Sequence, residues 1–349
     1  MKVAVVLFNL GGPDRPDAIR PFLRNLFSDP AIIGAPAPIR WLLARWISCR
    51  RAPVARGIYQ HLGGKSPLLE LTQKQARSLE EQFDTGDEIK AFIAMRYWHP
   101  MSDETAREVR KFAPNRIILL PLYPQFSTTT TGSSLSDWER ASGKAGVSAP
   151  TAAICCYPEE GGFVSAIAAR IEAVLGGVGT EARPRVLFTA HGLPKKIVDR
   201  GDPYPDHVER TATAIVEKLG RPDLDWTVCY QSRVGPLEWI GPQTEDEVVR
   251  AGRDGVPLVV VPIAFVSEHS ETLVELDIEY RKLAMAQGVP SYHRVKTVCT
   301  DPVFIGGLKN LVELALESIK EGDSTKTLKI SSSSSARICP ARDGKCPNS

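Results

Sequence analysis

No stretch of this chain stays apolar over the roughly 20 residues that a helical bilayer crossing requires. The first strong apolar run, Val3 to Phe8, ends at Asn9 and Gly11. A secretory leader is not expected either, because no small-residue cleavage site follows Met1-Lys2. Charge of one sign is lacking as well: 43 Lys and Arg against 41 Asp and Glu leave +2, with the signs interspersed. That gives no argument for a nucleic-acid partner, and none is expected. Nucleotide signatures are missing. Gly11-Gly12-Pro13 fails the G-x-G-x-x-G pattern, and the hydroxyl-rich run Ser127 to Ser134 has no Walker lysine. Seven cysteines, an odd number without an export signal, point to the reducing cytoplasm, with thiols free or metal-bound.

What is present suits two mid-sized domains: 349 residues, 43% of them hydrophobic. Short apolar runs rich in β-branched residues recur at 3–8, 90–95, 116–121, 151–155, 185–190, 226–230, 257–264 and 293–298. Helical periodicity marks 66–83, 103–112, 163–175, 206–219, 244–252, 271–286 and 302–320. Continuous apolar strands alternating with helices predict α/β architecture, with parallel sheets covered on both faces. Eight such strands fit either one barrel or two four-stranded doubly wound halves, and two halves are favoured. The first spans 1–160. The second spans 161–301, and 321–349 reads as a flexible Ser-rich tail. Functional loops in such sheets lie at the carboxyl ends of strands.

Several motifs sit at those ends. His191 closes the apolar run Val186 to Ala190, and Gly192 and Pro194 turn the chain after it. A histidine there can serve as a base, as a metal ligand or as a strand cap. After the strand Leu258 to Phe265 come Glu271, Glu275 and Glu279, spaced to line one face of an α-helix. Such a row either recruits a cation or protons, or is a solvated acidic face. Arg96, Tyr97 and Trp98 combine aromatics with a cation, which suits a flat anionic ligand or plain packing. Between Ala31 and Pro53, Ile39, Leu42, Leu43, Trp46 and Ile47 form a helical stripe among Arg40, Arg45, Arg50 and Arg51, with Trp41 beside it. An apolar aromatic face with a basic rim fits a membrane surface, the lip of an apolar pocket, or a helix packed on the core. Cys339 and Cys346 lie in the tail, and the adjacent pair Cys155-Cys156 lies upstream. Cys229 and Cys299 fall in strand candidates and read as buried packing residues, and Cys49 lies in the arginine-rich segment.

Seven runs in order resemble the ferrochelatase family, over nearly the whole chain to about residue 320. They are Leu7-Phe8-Asn9-Leu10-Gly11-Gly12-Pro13, Gly63-Gly64-Lys65-Ser66-Pro67, Met95-Arg96-Tyr97, Leu122-Tyr123-Pro124-Gln125-Phe126-Ser127, Ala190-His191-Gly192-Leu193-Pro194, Cys229-Tyr230-Gln231-Ser232-Arg233-Val234-Gly235-Pro236, and Phe265 to Leu276. The resemblance implies two Rossmann-type domains, each a four-stranded parallel sheet flanked by helices, with a porphyrin cleft between them and the C-terminal helix 302–320 packing back to join the first, and it implies insertion of ferrous iron, as substrate, into protoporphyrin IX to give protohaem. It implies His191 and Glu271 as catalytic and iron-binding residues, with Glu275 and Glu279 completing the acidic row. Asn9, Leu10, Tyr59, Arg96, Tyr97 and Trp239 match porphyrin-contacting positions. The tail is similar to that of family members carrying a [2Fe–2S] cluster, but it departs from their C-x6-C-x-C ending, because Asn348 stands at the last position. Cys156, Cys339 and Cys346 keep register, and Cys155 is the substitute fourth ligand.

The residue chemistry agrees with that resemblance. A porphyrin must lose two pyrrole protons before iron enters, and a neutral imidazole can accept one. Carboxylates can carry protons off or strip water from a hydrated cation. The expected setting is cytoplasmic, with peripheral contact at the inner membrane face. Alternatives of the same fold are a coproporphyrin or other-metal chelatase and a non-catalytic haem carrier. The acidic row argues against a carrier, which gains nothing from it.

Overall fold

The computed structural model describes residues 1–84, 86–178, 183–319 and 328–331, the last four by backbone alone. The chain divides into two compact units. One holds Met1–Cys156 and the described residues from Leu308, and the other holds Tyr157–Gly307.

The first unit runs β1 (Lys2–Asn9), α1 (Ile19–Ser28), α2 (Ala37–Gln60), α3 (Leu68–Glu80), β2 (Glu88–Met95), α4 (Ser102–Phe112), β3 (Arg116–Pro121), α5 (Thr131–Ala145) and β4 (Thr151–Cys156). Its sheet has the order β2-β1-β3-β4 with parallel pairing throughout. Val3 to Leu7 are fully buried, as expected of a central strand covered on both faces. Ala4, Val6 and Phe8 pack with Phe92, Val109, Ile117 and Trp138 under α4 and α5. Ile19, Phe22, Tyr59, Tyr97 and Trp98 form a second cluster. Burying each such side chain is worth about 1.5–3 kcal/mol.

The second unit runs α6 (Gly161–Gly177), β5 (Arg185–His191), α7 (Lys195–Val198), α8 (Tyr204–Leu219), β6 (Asp225–Gln231), α9 (Thr244–Asp254), β7 (Leu258–Pro262), a π-helix (Glu271–Tyr280), α10 (Arg281–Ala286) and β8 (Tyr292–Arg294). Its parallel sheet has the order β6-β5-β7-β8. Leu276 and Tyr280 of the π-helix pack on Leu187, Leu258 and Val260 of the sheet. The last helix, α11 (Pro302–Ser318), begins in this unit and ends in the first.

Four details differ from the sequence-based expectations. The segment expected as one helix over 271–286 is a π-helix followed by α10. Both windings show similar apolar spacing over so few turns, so periodicity does not separate them. The last strand covers Tyr292–Arg294 alone, and Cys299 lies beyond it with a left-handed backbone (φ 47°). The hydroxyl-rich run Ser127 to Ser134, whose Ser, Thr and Gly content predicts a loop, turns into α5 at Thr131. Part of the expected flexible tail is ordered: β9 (Leu328–Ser331) adds a fifth parallel strand beside β4. Leu328-Lys329-Ile330 alternates as a strand should, and the open edge of β4 offers it backbone partners.

Candidate functional site

His191 is the last residue of β5, paired in register with Gln231 of β6. Gly192 follows, at a position where a larger residue would be crowded. A Cβ at that position would stand 3.1 Å from the Gln231 carbonyl and 3.1 Å from the Trp239 ring. The His191 Nδ1 lies 2.6 Å from the Gly192 carbonyl. A carbonyl only accepts, so Nδ1 carries the hydrogen, and in the neutral ring the lone pair sits on Nε2. That Nε2 is 3.9 Å from Glu271 Oε1, and the side chain is 39% exposed. The Trp239 ring lies 6.2 Å from the imidazole, and its Nε1 donates to the Val234 carbonyl at 3.1 Å.

Glu271 opens the π-helix. His269, buried and packed on Phe265, places its Nε2 3.8 Å from Glu271 Oε2, an ion-pair distance rather than a hydrogen bond. Glu271 Oε2, His269 Nδ1 and Gln231 Oε1 are all buried without a hydrogen-bond partner. Orphaned polar atoms in one place carry a desolvation cost and mark a site prepared for a ligand. Burial raises the Glu271 carboxyl, but His191 and His269 outweigh it and hold the group below the ordinary carboxylate value.

Glu275 is in a contrasting state. It accepts from the Ser232 N–H at 2.9 Å, Ser232 Oγ at 2.6 Å, Gln231 Nε2 at 3.1 Å and Tyr280 OH at 3.0 Å. Ser232 reaches it twice because its backbone is left-handed (φ 65°), a costly conformation for a non-glycine residue. Burial, and then the negative charge of Glu271, push the Glu275 carboxyl up. The surroundings thus drive the two carboxyl pKa values apart, the arrangement by which paired carboxyls can divide acid–base roles. Glu279 is exposed and does not join this cluster.

The other expected contact residues lie in the first unit. Asn9 is buried, with its amide donating to Thr72 at 3.0 Å and its Oδ1 accepting from the Leu10 N–H at 2.8 Å. Tyr59 and Tyr97 belong to the buried cluster, and Leu10 packs on it. The Tyr97 hydroxyl donates to Asp29 at 2.8 Å. Arg96 pairs with Asp29 at 2.8 Å, donates to Ser133 at 2.7 Å and stacks 4.9 Å from the Tyr97 ring centre. It also lines a cavity of about 470 Å³ with Asp29, Thr128, Ser133, Asp137 and Arg140. Its charge is largely answered inside the protein.

His269, Gln231, Ser232 and Tyr280 were not singled out as site residues from sequence. His269 and Gln231 lie inside recognised motifs, so proximity to His191 and Glu271 was the available signal. Tyr280 and Asp29 carried none, because their partners are distant in the chain. Among the described residues, no three or more His, Cys, Asp or Glu form a ready cage for a metal ion.

Cys155 and Cys156 are buried at the end of β4 with sulfurs 3.4 Å apart. Register with β9 breaks between Ile154 and Cys156, and Ser331 comes beside Cys156. Cys339 and Cys346 lie outside the described residues. Cys229 is fully buried, Cys299 is partly buried, and Cys49 is exposed on α2. That helix buries Ala44, Ser48, Ala52 and Tyr59 and leaves Ile39, Trp41, Leu42, Trp46 and Val54 exposed. The aromatic stripe therefore does not pack on the core. Arg45 lies over Trp41 and Arg50 over Trp46. Among the described residues, no helix is long and apolar enough to cross a membrane.

The ferrochelatase family model matches residues 2–316. A ferrochelatase of Caulobacter vibrioides (strain ATCC 19089) is 53% identical over 349 residues, covering 99% of this chain and 97% of that protein. One from Phenylobacterium zucineum is 51% identical over 350 residues, covering 99% and 98%. Among solved structures, SirB from Bacillus subtilis with Fe3+ superposes with a TM-score of 0.55 at 13% identity, over 91% of this chain and 97% of that one. At such identity the likeness is one of fold alone.

Proposed function

The chain belongs to the ferrochelatase family, inserting ferrous iron into protoporphyrin IX to give protohaem and two protons, and from that premise we propose which residues do the work. His191 accepts a pyrrole proton on Nε2, the ring nitrogen its hydrogen bond to Gly192 leaves unprotonated. Glu271, held ionised, stabilises the imidazolium that results and offers an oxygen to the incoming iron. Glu275, raised by burial and by Glu271, takes protons onward. The observation carrying this reading is the His191–Glu271 pair, 3.9 Å apart beside an orphaned carboxylate oxygen. Trp239, next to the imidazole, is the expected macrocycle contact in this unit. Asn9, Leu10, Tyr59, Arg96 and Tyr97 are further candidates. The internal bonds of Asn9 and Tyr97 make them supports behind the binding surface rather than direct ligands.

The test is anaerobic iron insertion with protoporphyrin and coproporphyrin side by side. His191→Ala and Glu271→Gln should each lower turnover by about 10²–10⁴-fold with porphyrin binding still measurable. Near-parental turnover in both variants sinks the assignment, and preference for coproporphyrin corrects the substrate.

Two attachments extend this reading. The exposed Trp41, Leu42 and Trp46 beside Arg45 and Arg50 support peripheral contact with an anionic membrane from the cytoplasmic side. Trp41→Ser with Trp46→Ser should then abolish co-flotation with anionic vesicles. Cys155 and Cys156, with the tail thiols Cys339 and Cys346, supply the four thiolates of a [2Fe–2S] cluster. Ser331, which precedes Cys339 in the chain, comes into register beside Cys156. A bound cluster would supply one-electron chemistry there. Anaerobically purified protein should contain two iron and two sulfide per chain, and colourless protein would refute the cluster.

A further inference from the structure

The π-helix Glu271–Tyr280 has no side-chain cap at its start. Such winding is rare and mostly limited to single-turn bulges. Uncommon backbone forms persist only where their surroundings over-determine them, so the holder must lie outside the helix.

Strand β8 supplies it. Arg294, whose side chain is 5% exposed, uses all three guanidinium nitrogens on this segment. Nε and Nη2 donate to the two oxygens of Asp277 at 2.8 and 2.7 Å. Nη1 donates to both oxygens of Glu268 at 2.9 and 3.0 Å. Glu268 also accepts the Thr297 N–H at 3.0 Å. Two residues earlier in the same strand, the Tyr292 hydroxyl donates to the Leu276 carbonyl at 2.7 Å, and its own carbonyl accepts from Arg281 at 2.9 Å. The grip thus falls just before the π-helix and within its second half. Glu271 and Glu275 lie between the two points.

We propose that Arg294 is a positioning residue for iron insertion: its fork joins Glu268 to Asp277 and fixes the winding between them, which sets Glu271 against His191 and Glu275 against Ser232. Rewinding to an α-helix would change the rotation and rise of every residue after the change. One rigid guanidinium bonded at both ends opposes that. A lysine cannot replace it, because an ammonium is a point charge without a fork. The inference rests on Glu271 and Glu275 being the working carboxylates.

Removing Arg294 alone would strand two partly buried carboxylates and endanger folding. The full chain is therefore tested as Arg294→Lys and as the neutral triple Arg294→Met, Glu268→Gln, Asp277→Asn, with Glu271→Gln in parallel. Melting temperature, kcat and KM for protoporphyrin with ferrous iron are measured anaerobically. The triple should melt near the parent, keep its KM, and lose about 10–100-fold in kcat, the cost of misplacing catalytic groups by around an ångström. Arg294→Lys should lose about tenfold by the same cause. Should the triple not fold, the lysine variant decides alone. Parental kcat in a folded variant, or a rise in KM at unchanged kcat, overturns the proposal while Glu271→Gln is inactive. Turnover by Glu271→Gln overturns the site assignment instead.

Discussion

The two units repeat one winding and put different chemistry on it. In the orders β2-β1-β3-β4 and β6-β5-β7-β8, the second strand flanks the first on one side, and the third and fourth lie on the other. Asn9 and His191 therefore occupy the same slot, the end of the first strand of each sheet. Asn9 is buried and its amide is consumed by Thr72 and Leu10. His191 is partly exposed and keeps one nitrogen free of that duty. The helix after the third strand differs as well. In the first unit it is the ordinary α5, whose Asp137 lies 3.9 Å from Arg96. In the second it is a π-helix presenting two carboxyls in opposite states. On this shared scaffold the strand-end slot of the second unit keeps an imidazole nitrogen unbonded, whereas the side chain in the first unit's slot is bonded through both its nitrogen and its oxygen.

The contrast breaks most sharply at the shared slot. Asn9→Ala should leave a buried Thr72 hydroxyl and the Leu10 N–H short of partners, costing about 1–3 kcal/mol of stability with kcat close to parental. His191→Ala should do the reverse. Loss of turnover without loss of melting temperature in Asn9→Ala would show that the first unit's slot is chemical too. Glu275→Gln comes next. It keeps the side-chain shape but turns one of the two accepting oxygens, each of which receives two hydrogen bonds, into an N–H donor, and it removes the proton-accepting anion, so kcat should fall about 10–100-fold at little cost in KM; undiminished kcat would leave Glu271 as the sole acid group required.

Acid stability is a milder probe. Burial raises the Glu268 carboxyl, but Arg294 and its hydrogen bonds pull it below its ordinary value of 4.5. Because the folded value is depressed, the stability it contributes is present above that ordinary value. It is lost as the pH falls through the lowered one. Glu271 adds in the same direction, and raised Glu275 opposes it. Calorimetry at pH 5.5 and 3.5 should show the melting temperature dropping by a few degrees, and the neutral Arg294 triple should flatten that drop. An equal slope in the triple would place the acid sensitivity elsewhere. The smallest effect should be that of Glu279→Gln, since Glu279 is exposed. Turnover within about twofold of parental is expected there, and a tenfold loss would restore it to the acidic row.

Much of this was legible in the residues. The run Val3 to Phe8 marked a strand observed from Lys2 to Asn9, because a strand buried on both faces must be apolar throughout. His191 and Glu271 stood out through motif order. The π-winding was not legible, since Glu271 and Glu275 are also neighbours on an α-helix. Glu279 shows the consequence: its spacing suggests a third member of the row, and its exposure removes it. Nor did spacing reveal that Asp29 would meet Arg96 and Tyr97. Those partners come together only when β2 and the chain after α1 pack.

By itself the sequence determined the family, the alternating α/β order, the central strands and the histidine at a strand end. These follow from local pattern, because periodicity and turn residues act within a few positions of one another. Tertiary structure alone decided which carboxyl has its pKa lowered, which has it raised, and what grips the helix bearing both. Those properties depend on burial and on partners far apart in the chain, such as His191 with Glu271 or Arg294 with Glu268, whose distances exist only after folding.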